Sequence, residues 1–137
     1  MIILDTNVVS ALMLEPPDTR VASWLDKQPE TSIWTTSITV LEVRYGLEIM
    51  PSGKRRSSLE QTFELILEQM DRRVAVFDFT AAEQAANLSA LRRKQGRPGE
   101  FRDTMIAGIV LAHHASLATR NTSHFQDIQA RVIKPWT

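Results

Sequence analysis

Short apolar runs alternate with helical patterns from one end of the chain to the other, and no two runs are joined by the two-residue turn of a β-hairpin. That alternation leaves little choice of architecture. Strands separated by helices are paired through crossover connections, which makes the sheet mainly parallel and puts helices on its faces. Residues 1–4 (MIIL), 32–36 (SIWTT), 74–77 (VAVF) and 116–119 (SLAT) read as four strands, and residues 131–133 (RVI) as a short fifth. Between them the spacing predicts helices over 8–14, from Asp18 along the Val21, Trp24, Leu25, Gln28 stripe, and over 37–49. Ser57-x-x-Glu60 and Thr80-x-x-Glu83 read as capping boxes for two further helices, and a last long one is expected over 101–113. Pro51-Ser52-Gly53 and Gly96 with Pro98-Gly99 supply the breaks. With no repeat, linker or low-complexity stretch, residues 1–137 are expected to form a single α/β domain.

A domain of 137 residues buries roughly two-thirds of the surface its unfolded chain exposes, so it needs no covalent staple. The absence of cysteine excludes disulfides, thiolate zinc sites and cysteine nucleophiles, and fits a reducing cytoplasm. No window approaches the roughly 18 apolar residues of a membrane span, and the apolar start is too short for a signal sequence. A soluble cytoplasmic protein with no membrane partner is therefore expected. The formal net charge is zero, but it is unevenly laid out: 8 Lys/Arg against 13 Asp/Glu up to Gln84, then 8 against 3. Such asymmetry points to one surface for cations and another for polyanions.

In parallel sheets functional groups gather outside the carboxyl ends of the strands, and three acids are aimed there. Asp5 ends the first strand, where it is either a helix cap or part of a site. On the 37–49 helix, Ser37, Arg44 and Glu48 share what reads as the wet face. Glu42 falls almost opposite, beside Ile38, Tyr45 and Ile49, with Gly46 permitting close approach. A carboxylate on an inward stripe is costly unless it is paired with an arginine, hydrogen-bonded or bound to a metal. Asp103 opens a helix that is apolar around its whole circumference, in a first turn that favours an anion. Capping alone is the alternative there.

Thr119 and Asn121 add neutral oxygen donors at the same edge. Three carboxylates within about 5 Å of one another repel by roughly 3 kcal/mol per pair at an effective dielectric of about 20. All-oxygen ligation without thiolates or convergent histidines selects Mg²⁺ or Mn²⁺, and such acidic sites serve phosphodiester hydrolysis. Arg92, Arg93, Arg97 and Arg102 lie close by in sequence to steer phosphates, which makes nucleic acid the natural substrate. Arg120 either contacts phosphate or pairs with an acid. His124 follows the fourth strand closely enough to reach a substrate but ranks below the acids, while His113 and His114 read as a helix end and Asp127 as a surface or turn residue. The three tryptophans, Trp24, Trp34 and Trp136, read as core or interface.

The stretches IILDTNVVS, TTSITVLEVRYG, RDTMIAGIVLAHHASLATRNTSHF and VIKPW, in this order and spacing, resemble PIN-domain ribonucleases, in particular the VapC-type toxins of bacterial toxin–antitoxin pairs and their FitB-like subgroup. The resemblance spans nearly the whole chain. It implies a three-layer α/β/α fold with a mainly parallel four- to five-stranded sheet and Mg²⁺- or Mn²⁺-dependent endoribonuclease activity. It also implies a homodimer and neutralisation by a VapB/FitA-like antitoxin, in an assembly that binds operator DNA through the antitoxin. By position, Asp5, Glu42 and Asp103 match the catalytic metal-binding acids, Thr6 and Asn7 the D-T-N signature, and Thr119 the threonine that orders the pocket. The family's fourth acidic position falls on Asn121, a candidate further ligand. One ion is expected, with a second left open.

Two rival readings differ in class. A haloacid-dehalogenase-type phosphatase needs D-x-D-x-[TV] after the first strand, where this chain has DTNVV, and a response-regulator receiver needs paired early acids and a later lysine. The other rival is a catalytically weak PIN-like binding module, acting mainly as an antitoxin-complexed DNA-binding regulator.

Overall fold

The computed structural model describes residues 1–137. Five strands, β1 (Ile2–Leu4), β2 (Ile33–Thr36), β3 (Val74–Ala75), β4 (Ser116–Ala118) and β5 (Val132–Ile133), form one sheet in the order β3-β2-β1-β4-β5. Every pairing is parallel. The helices are α1 (Thr6–Met13), α2 (Thr19–Asp26), α3 (Ser37–Glu48), α4 (Lys54–Gln69), α5 (Phe79–Lys94) and α6 (Phe101–Ala112). None is long and apolar enough to cross a membrane.

Strand alternation divides the interior into two layers. Ile3 and Leu117 face a core built with Leu88, Ile106, Ile109 and Phe125, so α5 and α6 cover that side. Leu4 and Ala118 face the opposite core with Val8, Val9, Phe63 and Leu67, so α1 and α4 cover the other. With apolar groups on both faces, β1 reads as an unbroken apolar run, as a central parallel strand should. The result is the expected three-layer α/β/α arrangement with a sheet of five strands.

From β1 the chain builds outward through β2 and β3 and then returns to add β4 on the other side of β1. The switch in direction therefore lies between β1 and β4, and a crevice opens there at the carboxyl edge. Asp5 follows β1 into it, its N–H donating to the Ala118 carbonyl at 2.9 Å.

Several local boundaries differ from the sequence reading. The helix expected from Val8 begins at Thr6, because the Asp5 carboxylate accepts the Thr6 N–H at 2.8 Å and caps it. Ser57-x-x-Glu60 is no capping box: α4 starts at Lys54 after Gly53 and has no side-chain cap. The earlier turn places Arg56 to reach Glu60 at 2.8 Å and the Met50 carbonyl near the end of α3 at 3.3 Å. Likewise α5 is capped by Asp78, which accepts the Ala81 N–H at 3.0 Å, and Thr80 lies inside the first turn. Strand β3 is two residues long instead of four.

The stripe expected on α3 is also displaced. Val43 and Leu47 point into the core, whereas Leu41, Tyr45 and Ile49 are exposed. Arg44, assigned to the wet face, instead lies over the Phe63 ring and pairs with Glu64 on α4. A single helix cannot show which of its faces a later helix will cover.

The closest helix contact is between α5 and α6. A Cβ at Gly108 would sit 2.5 Å from the Ala81 carbonyl oxygen and 2.9 Å from the Ala85 Cβ. The obstruction is backbone, so the helices would have to move apart. Gly108→Ala should destabilise the protein by roughly 1–3 kcal/mol, an overpacking cost, as measured by urea unfolding. A stability equal to that of the parent chain would show that the two helices are looser than their contact implies.

Candidate functional site

Asp5 is the best-buried acid of the chain, at 3% exposure. It sits at the carboxyl end of β1, and Thr119, just past β4, donates its hydroxyl to Asp5 Oδ2 at 2.7 Å. The Asn7 amide reaches the same oxygen weakly at 3.4 Å, while its Oδ1 accepts the Arg120 N–H at 3.0 Å. Burial is the main influence on Asp5, and it raises the carboxyl pKa from 3.8 to about 6 against those hydrogen bonds. Repulsion from Asp103 and Glu42 pushes weakly in the same direction.

Glu42 arrives from α3, which Thr36 caps through the Thr39 N–H at 3.1 Å. Its Oε1 accepts the Thr6 hydroxyl at 2.7 Å, and Thr6 also bonds the buried Thr39 hydroxyl at 3.0 Å. Asp103 comes from the first turn of α6. The cap there is Glu100, whose carboxylate accepts the Asp103 N–H at 3.0 Å. Capping therefore does not account for Asp103, whose side chain is free to meet His124 Nδ1 at 3.0 Å.

Asp5, Asn7, Glu42, Asp103, Arg120 and Asn121 all line one cleft of about 490 Å³ at the carboxyl edge. Segments more than 110 residues apart in sequence meet there. As they stand, no three acidic or histidine side chains are gathered tightly enough to chelate an ion. The reason is visible in their partners: Glu42 faces Arg102 at 3.6 Å, Asp103 faces His124, and Asp5 is held by Thr119. The donor set is otherwise carboxylate and amide oxygen, which suits a hard divalent cation.

The basic residues separate into two groups. Arg93, Arg97, Arg102 and Arg120 are exposed. Arg102 is engaged by Glu100 and then Glu42, which together hold its pKa up, and the Arg120 guanidinium lies 5.1 Å from the Trp136 ring centre. Arg97 lines a hollow of about 340 Å³ together with Asp103 and His124. Arg92, expected on the phosphate-steering surface, is instead 3% exposed with its guanidinium turned onto Asp127, which leaves it little surface for a polyanion. Asp127 is correspondingly bound to an arginine and does not line the cleft that holds Asp5 and Glu42. The sequence reading did not include Thr39, although its spacing three residues before Glu42 was a signal, nor the bond between His124 and Asp103.

A three-layer α/β/α fold with an acidic crevice at the switch point of its parallel sheet defines the class of open α/β proteins whose sites lie at the carboxyl edge of the strands. Residues 2–130 match the PIN domain, and the chain belongs to that family. It is 39% identical to the VapC ribonuclease Y4jK of Sinorhizobium fredii, over 99% of this chain and 98% of that one. It is 32% identical to Toxin FitB of Neisseria gonorrhoeae, over 99% of each. Among solved structures, FitAB bound to an IR36 DNA fragment superposes with a TM-score of 0.90 at 32% identity, covering 100% of this chain and 96% of that one.

The raised pKa of Asp5 has a consequence for stability. Its proton is held more tightly in the folded state, so no penalty exists below pH 4, and the penalty grows as pH rises through about 6. Two units correspond to roughly 3 kcal/mol at neutral pH. In metal-free urea titrations, Asp5→Asn should be more stable than the parent at pH 7 and lose that advantage at pH 4. A difference independent of pH would remove burial of charge as the cause.

Proposed function

We propose that this chain is a metal-dependent endoribonuclease toxin of a toxin–antitoxin pair. The observation that carries the reading is the convergence of Asp5, Glu42 and Asp103 on one crevice, with a buried carboxylate at its floor. Its similarity to a VapC ribonuclease and to Toxin FitB supports the same class.

Asp5, Glu42 and Asp103 would hold Mg²⁺ or Mn²⁺, with Asn121 offering a neutral oxygen, and the ion would acidify a bound water and stabilise charge on the phosphorus oxygens. Thr119 and Thr6 orient Asp5 and Glu42 through their hydroxyls. Arg93, Arg97, Arg102 and Arg120 form a cationic rim that draws in a polyanionic strand. The rim and the acidic floor divide the work: cations hold the backbone while the carboxylates serve the reacting phosphate.

Purified protein should cleave RNA in Mg²⁺ or Mn²⁺ and stop on addition of EDTA. Asp5→Ala and Asp103→Ala should each lower the rate by at least about a hundredfold, as loss of ion-positioning groups does. Cleavage that survives EDTA or either substitution would defeat the mechanism. In the same assay, the antitoxin's C-terminal segment should inhibit by placing an arginine or lysine against the carboxylates. Arg102 beside Glu42 shows that a guanidinium fits there.

The second reading, a binding module with weak catalysis, is favoured by one observation: each of the three acids already has a protein partner. Metal titration without turnover would select it. For the assembly we propose a homodimer that covers the exposed Leu41, Tyr45 and Ile49 face of α3, with operator DNA bound through the antitoxin. Tyr45→Glu combined with Ile49→Glu should convert the dimer to a monomer in light scattering; an unchanged mass would place the contact elsewhere.

A further inference from the structure

We propose that Arg92 is a positioning residue: a buried guanidinium strut that fixes Asp103 and the loop after β4. The inference rests on the proposed function, because it assigns to the strut the placement of a catalytic carboxylate.

Arg92 leaves α5 and grips three separate places. Its Nε and Nη2 donate to the two Asp127 carboxylate oxygens at 2.7 and 2.8 Å. Nη2 also donates to the His124 carbonyl at 2.9 Å, and Nη1 to the Thr104 hydroxyl at 3.2 Å. Thr104 is the residue after Asp103, and His124 touches the Asp103 carboxylate directly. The strut therefore holds Asp103 from both sides, through the hydroxyl of its neighbour Thr104 on the same helix and through His124 opposite.

A buried charge is retained at a cost unless its partners are fully matched. Here they are matched: no buried side-chain nitrogen or oxygen in the chain lacks a hydrogen-bond partner. The guanidinium in turn holds the Asp127 carboxyl below its usual range. An apolar side chain would fill this space with less desolvation, but it would not fix the angle between α5, α6 and the 122–127 turn. A planar fork with two parallel bonds does, and a lysine ammonium cannot reproduce it.

The 96–100 connection closes over the strut. A Cβ at Gly99 would lie 2.6 Å from Arg92 Nη1 and 3.4 Å from the Thr104 hydroxyl. Gly99 thus lets the backbone pass directly over the guanidinium, and a methyl group there would press on it.

The test uses the full chain and two substitutions that leave Asp5, Glu42 and Asp103 untouched: Asp127→Asn, which weakens the strut from its far end, and Gly99→Ala, which displaces it. Hydrogen exchange should speed up by about tenfold or more over residues 103–106 and 119–127, with β1 and β2 unchanged, as expected for local opening. Calorimetric Mn²⁺ titration of the folded variants should show about tenfold weaker binding, and kcat on RNA should fall more than KM changes. Arg92→Lys should give the same pattern if it folds; if it does not, the other two variants decide. Variants whose exchange, Mn²⁺ affinity and kcat stay within about twofold of the parent would overturn the strut, since displacing an oriented outer group should cost more. A parent chain that neither binds Mn²⁺ nor cuts RNA would instead remove the proposed function, and the exchange comparison would still decide whether the strut holds the loop.

Discussion

The buried carboxylate of Asp5 is the constraint around which the molecule is arranged. It stands at the end of the central strand, where a charge is expensive, and its pKa is raised to about 6 because the fold withholds water from it. The surroundings offset that cost locally. The Thr119 hydroxyl ties it to the next strand, and the Thr6 N–H makes the same carboxylate the cap of α1. One side chain thus joins the sheet, the first helix and the crevice, so a cap and a member of the site are the same group.

The rest of the fold delivers partners to that point. Because all five strands run the same way, the helices that follow β1 and β2 begin at the edge where Asp5 lies. Helix α6 is buried almost all round, with Ile106, Ala107, Gly108, Ile109 and Val110 all inside. Its depth makes its first turn a rigid mount for Asp103. Behind Asp103 the chain is secured differently, by the Arg92 and Asp127 pair. Apolar packing sets the position of the helices, and a small number of oriented polar bonds sets the direction of the groups they carry.

The parts legible in the sequence were those governed by strong local rules. Apolar runs separated by helical periods gave the α/β class, and the stretches IILDTNVVS, TTSITVLEVRYG and RDTMIAGIVLAHHASLATRNTSHF marked Asp5, Glu42 and Asp103, which the fold brings to one cleft. Caps were less legible, because competing polar residues sit within a few positions. Asp78 displaced Thr80, and Glu100 displaced Asp103. The face of α3 was only partly legible, since Ile38, Tyr45 and Ile49 look like one core stripe, yet Ile38 is buried while Tyr45 and Ile49 are exposed and Val43 and Leu47 pack with Phe63 and Leu67 instead. Arg92 was the clearest miss. Among Arg93, Arg97 and Arg102 it looks like its neighbours, and its partners distinguish it, Asp127 above all, 35 positions away.

By itself the sequence determined the alternation of strands and helices, the all-oxygen character of the acidic set and the edge at which it gathers. These follow from periodicity and residue chemistry, which are local properties of the chain. The tertiary structure alone decided which polar groups pair: Glu42 with Thr6 and Arg102, Asp103 with His124, and Arg92 with Asp127. Such pairings depend on distances between segments far apart in sequence, and a charged side chain shows whether it is a rim, a ligand or a strut only when the fold has fixed what lies opposite it.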